Sequence, residues 1–139
     1  MLVSVDVSVA AAWLLPDRAS EAADQLVAQF LAGAISMQAP GLSSWEVGNV
    51  MRMATVRKRI TRGHWSAALR AMSTAFVRPE PAPDSERFER TLVLAADTGL
   101  TFYDASYLEQ AQRTGGSLAT LDSALQRAAK KLGVPCLNL

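Results

Sequence analysis

Four carboxylates stand where folding could bring them together: Asp6, Glu46, Asp104 and Asp122. Asp6 and Asp122 each follow a short apolar run typical of a buried strand, whereas the other two fall in the first turns of helix-like stretches. No basic residue directly adjoins any of the four in the sequence. Acids that meet without partners repel one another, so a bound cation is the simplest way to neutralise them.

Carboxylate oxygens are the ligands that hard divalent cations such as Mg²⁺ and Mn²⁺ prefer. These ions neutralise charge on a phosphoryl group and supply hydroxide at neutral pH, and hydrolysis of a phosphodiester requires both. We therefore predict a metal site with Asp6 as the central ligand. Asp104 and Asp122 would complete the coordination, and Glu46 would bind a second ion or its water.

A simpler interpretation makes these acids helix caps. Asp6 and Asp122 each directly precede a predicted helix, where aspartate is a common N-cap. Ser43 and Glu46 have the spacing of a capping box, in which Glu46 would reach back to the start of its helix. Taken one at a time, each acid is more often a cap than a ligand. Together they favour metal binding, and a non-catalytic binding module remains an alternative.

The apolar spacing alternates along the chain between strand-like and helix-like periods. We predict four strands over 2–5, 35–39, 117–121 and 134–137. We predict seven helices over 7–15, 20–31, 42–54, 62–76, 84–98, 101–113 and 122–132. The Pro79–Pro83 stretch reads as an edge strand or an extended connection.

Alternating strands and helices indicate an α/β fold with a central parallel, right-handed sheet covered by helices on both faces. The length of 139 residues fits a single domain spanning 1–139. In such folds, ligands bind beyond the carboxyl ends of the strands. The four acids are therefore expected at one edge of the sheet.

The composition excludes several other classes of protein. The net charge of +1 gives no global attraction for nucleic acid. The chain has no apolar run long enough to span a membrane, and we expect no signal peptide. A single cysteine, Cys136, allows no internal disulfide and suits a reducing cytoplasm. With His64 as the only histidine, a zinc site or a Cys/His catalytic pair is not supported.

Charge is unevenly distributed although its sum is close to zero. Between Glu46 and Glu80 the sequence holds no acidic residue. Five basic residues lie close together there: Arg52, Arg57, Lys58, Arg59 and Arg62. Such a run could bind an RNA backbone, or it could be the solvated end of a helix, where the helix dipole favours cations. Both interpretations stay open.

Four motifs surround the acids, in a fixed order along the chain. They are Val5-Asp6-Val7-Ser8, Ala39-Pro40 followed by Trp45-Glu46-Val47-Gly48-Asn49, Tyr103-Asp104-Ala105-Ser106-Tyr107-Leu108, and Leu118-Ala119-Thr120-Leu121-Asp122. From about Leu2 to Leu137, their order and spacing resemble those of the PIN-domain nucleases. The resemblance is to the VapC-like toxins of bacterial and archaeal toxin–antitoxin pairs in particular.

This resemblance implies a PIN-like α/β fold and a Mg²⁺- or Mn²⁺-dependent endoribonuclease that cleaves structured RNA such as tRNA or ribosomal RNA. The family's four acids carry over to Asp6, Glu46, Asp104 and Asp122. Thr120 matches a family hydroxyl near the site, and Ser8 and Asn49 match polar positions that orient the acids. Ser123 departs from many relatives, which place a charged residue there.

The resemblance also implies partners. Similar toxins form homodimers and are silenced by a cognate antitoxin lying across the active-site groove. A housekeeping PIN nuclease in RNA processing would carry the same motifs, so it stays open as a second function.

Overall fold

The computed structural model describes residues 1–74 and 77–139. Its strands are β1 (Leu2–Val5), β2 (Ser36–Ala39), β3 (Val77–Pro79) and β4 (Ser117–Ala119). Its α-helices are α1 (Val7–Leu14), α2 (Glu21–Leu31), α3 (Ser43–Val56), α4 (Trp65–Thr74), α5 (Ser85–Thr98), α6 (Phe102–Thr114) and α7 (Ser123–Lys131). Short 3₁₀ helices cover Pro16–Arg18 and Arg62–His64.

The strands form one parallel sheet in the order β3-β2-β1-β4. Val3 of β1 lies opposite Met37 of β2 on one side and Ser117 of β4 on the other. Because the strands are parallel, their carboxyl ends lie along the same edge of the sheet. The predicted α/β architecture is confirmed.

Helices cover the sheet on both faces. Val3 and Val5 are buried against residues of α1 and α2, including Val9 and Leu26. Leu118 is buried on the opposite face, together with residues of α6 and α7. Neighbouring strand residues point to opposite faces, so the core consists of two apolar layers separated by the sheet. A third apolar cluster joins α1 to α3 and α4.

Gly41 marks a close approach between two chain segments. A Cβ at this position would lie 2.5 Å from the backbone oxygen of Glu80. Any side chain would therefore push the segment after β3 away from the connection between β2 and α3. The glycine lets these two segments meet beside the carboxyl ends of the strands.

Three predicted elements differ in the structure, and one of them is the strand predicted over 117–121, which ends at Ala119. The helix predicted over 62–76 begins as the 3₁₀ turn and continues as α4, and Phe76 lies outside the described residues. The strand predicted over 134–137 is reduced to a single parallel bridge between Leu118 and Cys136. Pro135 accepts a hydrogen bond from Leu118 but has no N–H to extend the ladder.

Among the helices of the described ranges, none combines the length and apolar character needed to cross a bilayer.

Candidate active site

Asp6 occupies the junction between β1 and α1. Its backbone N–H donates to Ala119 at 2.9 Å, which continues the pairing of β1 with β4. Its side chain is only 2% exposed and caps α1. One carboxylate oxygen, Oδ2, accepts hydrogen bonds from the Ser8 hydroxyl (2.6 Å), the Ser8 N–H (3.3 Å) and the Thr120 hydroxyl (2.8 Å).

The other oxygen of Asp6, Oδ1, is buried and has no hydrogen-bond partner in the described part of the chain. A buried polar atom without a partner is costly, and such atoms often mark the place of a ligand, ion or water. Because Ser8 and Thr120 saturate Oδ2 and fix the plane of the carboxylate, Oδ1 is the atom available to a cation. This orphaned oxygen is the observation that best fits the predicted metal site.

Glu46 lies in the first turn of α3, half-buried, and accepts a 2.8 Å hydrogen bond from the hydroxyl of Tyr107. Tyr107 is fully buried on α6. The predicted capping box between Ser43 and Glu46 is therefore wrong. Leu42 holds the cap position of α3 without a side-chain hydrogen bond.

Asp104 stands in the first turn of α6. Its backbone N–H donates to the hydroxyl of Thr101, which caps the helix, so the cap does not depend on the Asp104 carboxylate. Asp122 caps α7 by accepting from the backbone of Leu125 at 2.8 Å, and its side chain is exposed. Asp6 and Asp122 are thus caps, as the simpler interpretation held. Capping leaves each of them an oxygen that other groups can approach.

The pKa shifts report how the acids affect one another. Burial raises the pKa of Glu46 above its ordinary value, the charges of Asp6 and Asp104 raise it further, and the Tyr107 hydrogen bond opposes them. Burial likewise raises the pKa of Asp104, with added contributions from the charges of Asp6 and Asp122. Negative charge therefore accumulates where the strands end, and it makes ionisation of Glu46 and Asp104 harder.

No arginine, lysine or histidine of the described ranges forms an ion pair with any of these four acids. Nor do any three Asp, Glu, His or Cys side chains there lie close enough to enclose a metal ion as they stand. Mg²⁺ is typically held by one or two carboxylates and keeps several waters. An all-oxygen donor set with one free buried oxygen on Asp6 fits that open kind of site.

The other polar residues predicted at the site differ in whether they contact the acids. Ser8 and Thr120 contact Asp6 directly, and their hydroxyls lie 3.3 Å apart. Asn49 lies on the exposed side of α3 and, within the described residues, forms no hydrogen bond to the four acids. Tyr107 was missed, although its place one turn after Asp104 on α6 was the available signal.

The basic run is separate from the acids. Arg59 makes two hydrogen bonds to Asp17, at 2.6 and 2.7 Å, and the other four members are exposed. From Glu46 to Arg57 the chain advances along α3 by ~16 Å at 1.5 Å per residue. Four members of the run thus lie at or beyond the far end of the helix whose first turn carries Glu46, whereas Arg52 lies within that helix, ~9 Å along it from Glu46.

The fold agrees with comparisons to known proteins. The family model described as "PIN domain" matches residues 3–131. Ribonuclease VapC3 from Pyrobaculum aerophilum is 30% identical over 135 residues, covering 97% of this chain and 100% of that protein. The crystal structure of PAE2754, also from Pyrobaculum aerophilum, superposes with a TM-score of 0.68 at 25% identity, covering 98% of this chain and 92% of that one. This chain therefore belongs to the PIN-domain family and is VapC-like within it.

Proposed function

We propose that this protein is a metal-dependent endoribonuclease that hydrolyses RNA phosphodiester bonds. The free, buried Oδ1 of Asp6 carries the proposal, because it is an anionic ligand atom for which the protein supplies no partner. The similarity to Ribonuclease VapC3 supports the choice of substrate.

In this proposal Asp6, Asp104 and Asp122 bind Mg²⁺ or Mn²⁺, and Glu46 binds a second ion or its water. When bound, the cation lowers the pKa of water and offsets charge on the phosphoryl oxygens. Ser8 and Thr120 hold Asp6 in one orientation, so its free oxygen need not reorganise when the ion binds. Tyr107 does the same for Glu46. Asn49 has no contact that argues for such a role.

We further propose a toxin that acts in the cytoplasm on tRNA or ribosomal RNA, forms a homodimer and is inhibited by a cognate antitoxin. Four members of the basic run are exposed and would contact the RNA backbone away from the acids, whereas Arg59 is engaged with Asp17. Growth arrest on expression, relieved by the product of a neighbouring gene, would distinguish a toxin from a housekeeping nuclease.

The experiment that tests the activity is cleavage of total cellular RNA in Mg²⁺, in Mn²⁺ or in EDTA. We expect discrete products with either metal and none in EDTA. Asp6→Asn should lower the rate by more than about a hundredfold, since even outer contacts of metal sites contribute 10- to 100-fold. Asparagine is as good an N-cap as aspartate, so the fold should persist.

We call the four acids Asp6, Glu46, Asp104 and Asp122 the acid cluster. Asp97→Asn is the matched control, because Asp97 is exposed on α5 and outside this cluster. Its rate should equal that of the wild type. If no RNA is cleaved, thermal melting with Mn²⁺ distinguishes an enzyme whose target is missing from the RNA sample from a protein that binds no metal. Metal at a hundredfold excess over Kd should add about 2.7 kcal/mol of stability, and no shift would contradict the site.

A further inference from the structure

A groove runs beside the acid cluster, between the start of α3, the segment after β3, and helices α5 and α6. It has a volume of about 410 Å³, and its lining includes four aromatic residues and three prolines. Phe88 and Phe102 form part of it, with ring centroids 4.8 Å apart. Trp45 and Tyr103 also line it, and they are 82% and 58% exposed. These aromatic surfaces stand open to solvent.

The two exposed rings are tied to the acids by the geometry of their helices. Trp45 immediately precedes Glu46 on α3, and Tyr103 immediately precedes Asp104 on α6. Consecutive residues of an α-helix point about 100° apart. Each helix therefore presents its acid to the cluster and the preceding aromatic ring to the adjoining groove. A strand whose phosphate lies over the acids must have its neighbouring bases beside the rings.

Charges within the groove are already compensated. Glu80 and Arg87 both line it, and they form a 2.6 Å ion pair with each other. Glu109, also in the lining, pairs with Arg113 at 2.9 Å. The groove thus offers a phosphate no free positive charge, whereas its open rings suit a flat, neutral ligand. Nucleobases stack on such aromatic side chains in single-stranded RNA complexes.

We propose that this groove binds an unpaired base of the RNA substrate, stacked against Trp45 and Tyr103 while the adjoining phosphate lies at the metal that the four acids are proposed to bind. The inference rests on the proposed nuclease function and adds the surface that would hold a base next to the cleaved bond. Paired bases are stacked within their own helix and cannot offer a free face to the rings.

The test measures binding of a short oligouridylate, and of the same oligomer with abasic sites, to the cleavage-deficient Asp6→Asn protein. Trp45→Leu keeps the side chain apolar and removes its flat ring. We expect this change to weaken binding of the oligouridylate by about 5- to 150-fold, the range found for loss of one stacked base. The abasic oligomer should bind weakly to both proteins. Leu31→Ala, at an exposed leucine that does not line the groove, is the control and should leave both affinities unchanged.

Equal affinity for the two oligomers, or no effect of Trp45→Leu, would overturn the groove as a base site. The proposal would also be overturned if Trp45→Leu impaired self-association or antitoxin binding while RNA affinity stayed constant. The surface would then be a protein interface. The nuclease assay separates the two proposals. Base-dependent binding without cleavage refutes the nuclease alone, whereas normal cleavage with an unaffected KM in Trp45→Leu refutes the groove alone.

Discussion

Helix α6 contributes one carboxylate to the acid cluster and another to a network of ion pairs. The two groups differ in whether their carboxylates have cationic partners. At the first turn of α6, Asp104 joins the acid cluster at the strand ends, where no ion pair forms within the described chain. Farther along, Glu109 belongs to an arginine network with Glu80, Arg87, Arg90 and Arg113.

In the arginine network every carboxylate has a cationic partner. Glu80 accepts from Arg113 at 2.7 and 2.8 Å and from Arg87 at 2.6 Å. These bonds fasten the segment after β3 to α5 and α6. The comparison teaches that the fold neutralises the acids it needs for structure. The group of acids that meets at the strand ends without cationic partners is the one for which we propose a bound cation.

The largest effect on stability should come from the network. Glu80→Gln removes the charge that faces two arginines, and we expect the free energy of unfolding to fall by about 2 kcal/mol, less than for a fully buried pair because the arginines are partly solvated. Urea denaturation measures it. The matched change in the acid cluster, Asp6→Asn, should not lower the stability. If Glu80→Gln is as stable as the wild type, the distinction between the clusters fails.

The next effect concerns the hydroxyl of Tyr107, which α6 directs at Glu46. Tyr107→Phe removes the hydrogen bond to Glu46, and kcat should fall about tenfold with KM nearly unchanged, as for other groups that orient metal ligands. Steady-state RNA cleavage gives both constants.

Ser66→Ala provides the control, because it also removes a hydroxyl, and Ser66 is exposed on α4 without a hydrogen bond to the acids in the described structure. In a Glu46→Gln background, Tyr107→Phe should cause no further loss if the tyrosine acts through Glu46. An additive loss would assign Tyr107 a different role.

The smallest effect is a gain in stability. Because the pKa of Asp104 is raised in the folded protein, the native state holds the proton more tightly than the unfolded chain. Its contribution to stability is present below the ordinary carboxyl pKa and is lost as pH rises through the raised value. Asp104→Asn cannot ionise, so without metal it should be more stable at pH 7 by about 0.5 kcal/mol, allowing for partial solvation.

Urea denaturation of both proteins across this pH range checks the sign. The advantage of Asp104→Asn should vanish once the pH is below the ordinary pKa of the carboxyl group. A constant difference at every pH would mean that the substitution acts through packing rather than through charge.

Sequence patterns predicted the parts of the site that depend on local order. Asp6 and Asp122 each follow a strand closely, and in a parallel sheet this is sufficient to bring them to one edge. Ser8 is near Asp6 in the chain, and Thr120 directly follows the strand paired with β1.

Contacts between distant segments could not be predicted in this way. Glu46 and Tyr107 are 61 residues apart, and the local Ser43-to-Glu46 spacing favoured a capping box that did not form. The approach of Gly41 to Glu80 likewise depends on where two connections meet in space. β4 ended early because Leu121 donates its N–H to the Ser8 hydroxyl instead of to a neighbouring strand.

The proposed function gives Asp6 and Asp122 a second role beside helix capping, and this has an evolutionary consequence. Both begin a helix by capping it, and asparagine performs that task equally well while lacking the negative charge. One conservative replacement could thus abolish cleavage and leave folding, shape and binding surfaces unaltered. Cells harmed by the proposed activity could lose it through such a replacement and still keep the protein. Inactive copies would then compete with active ones for the same binding partners.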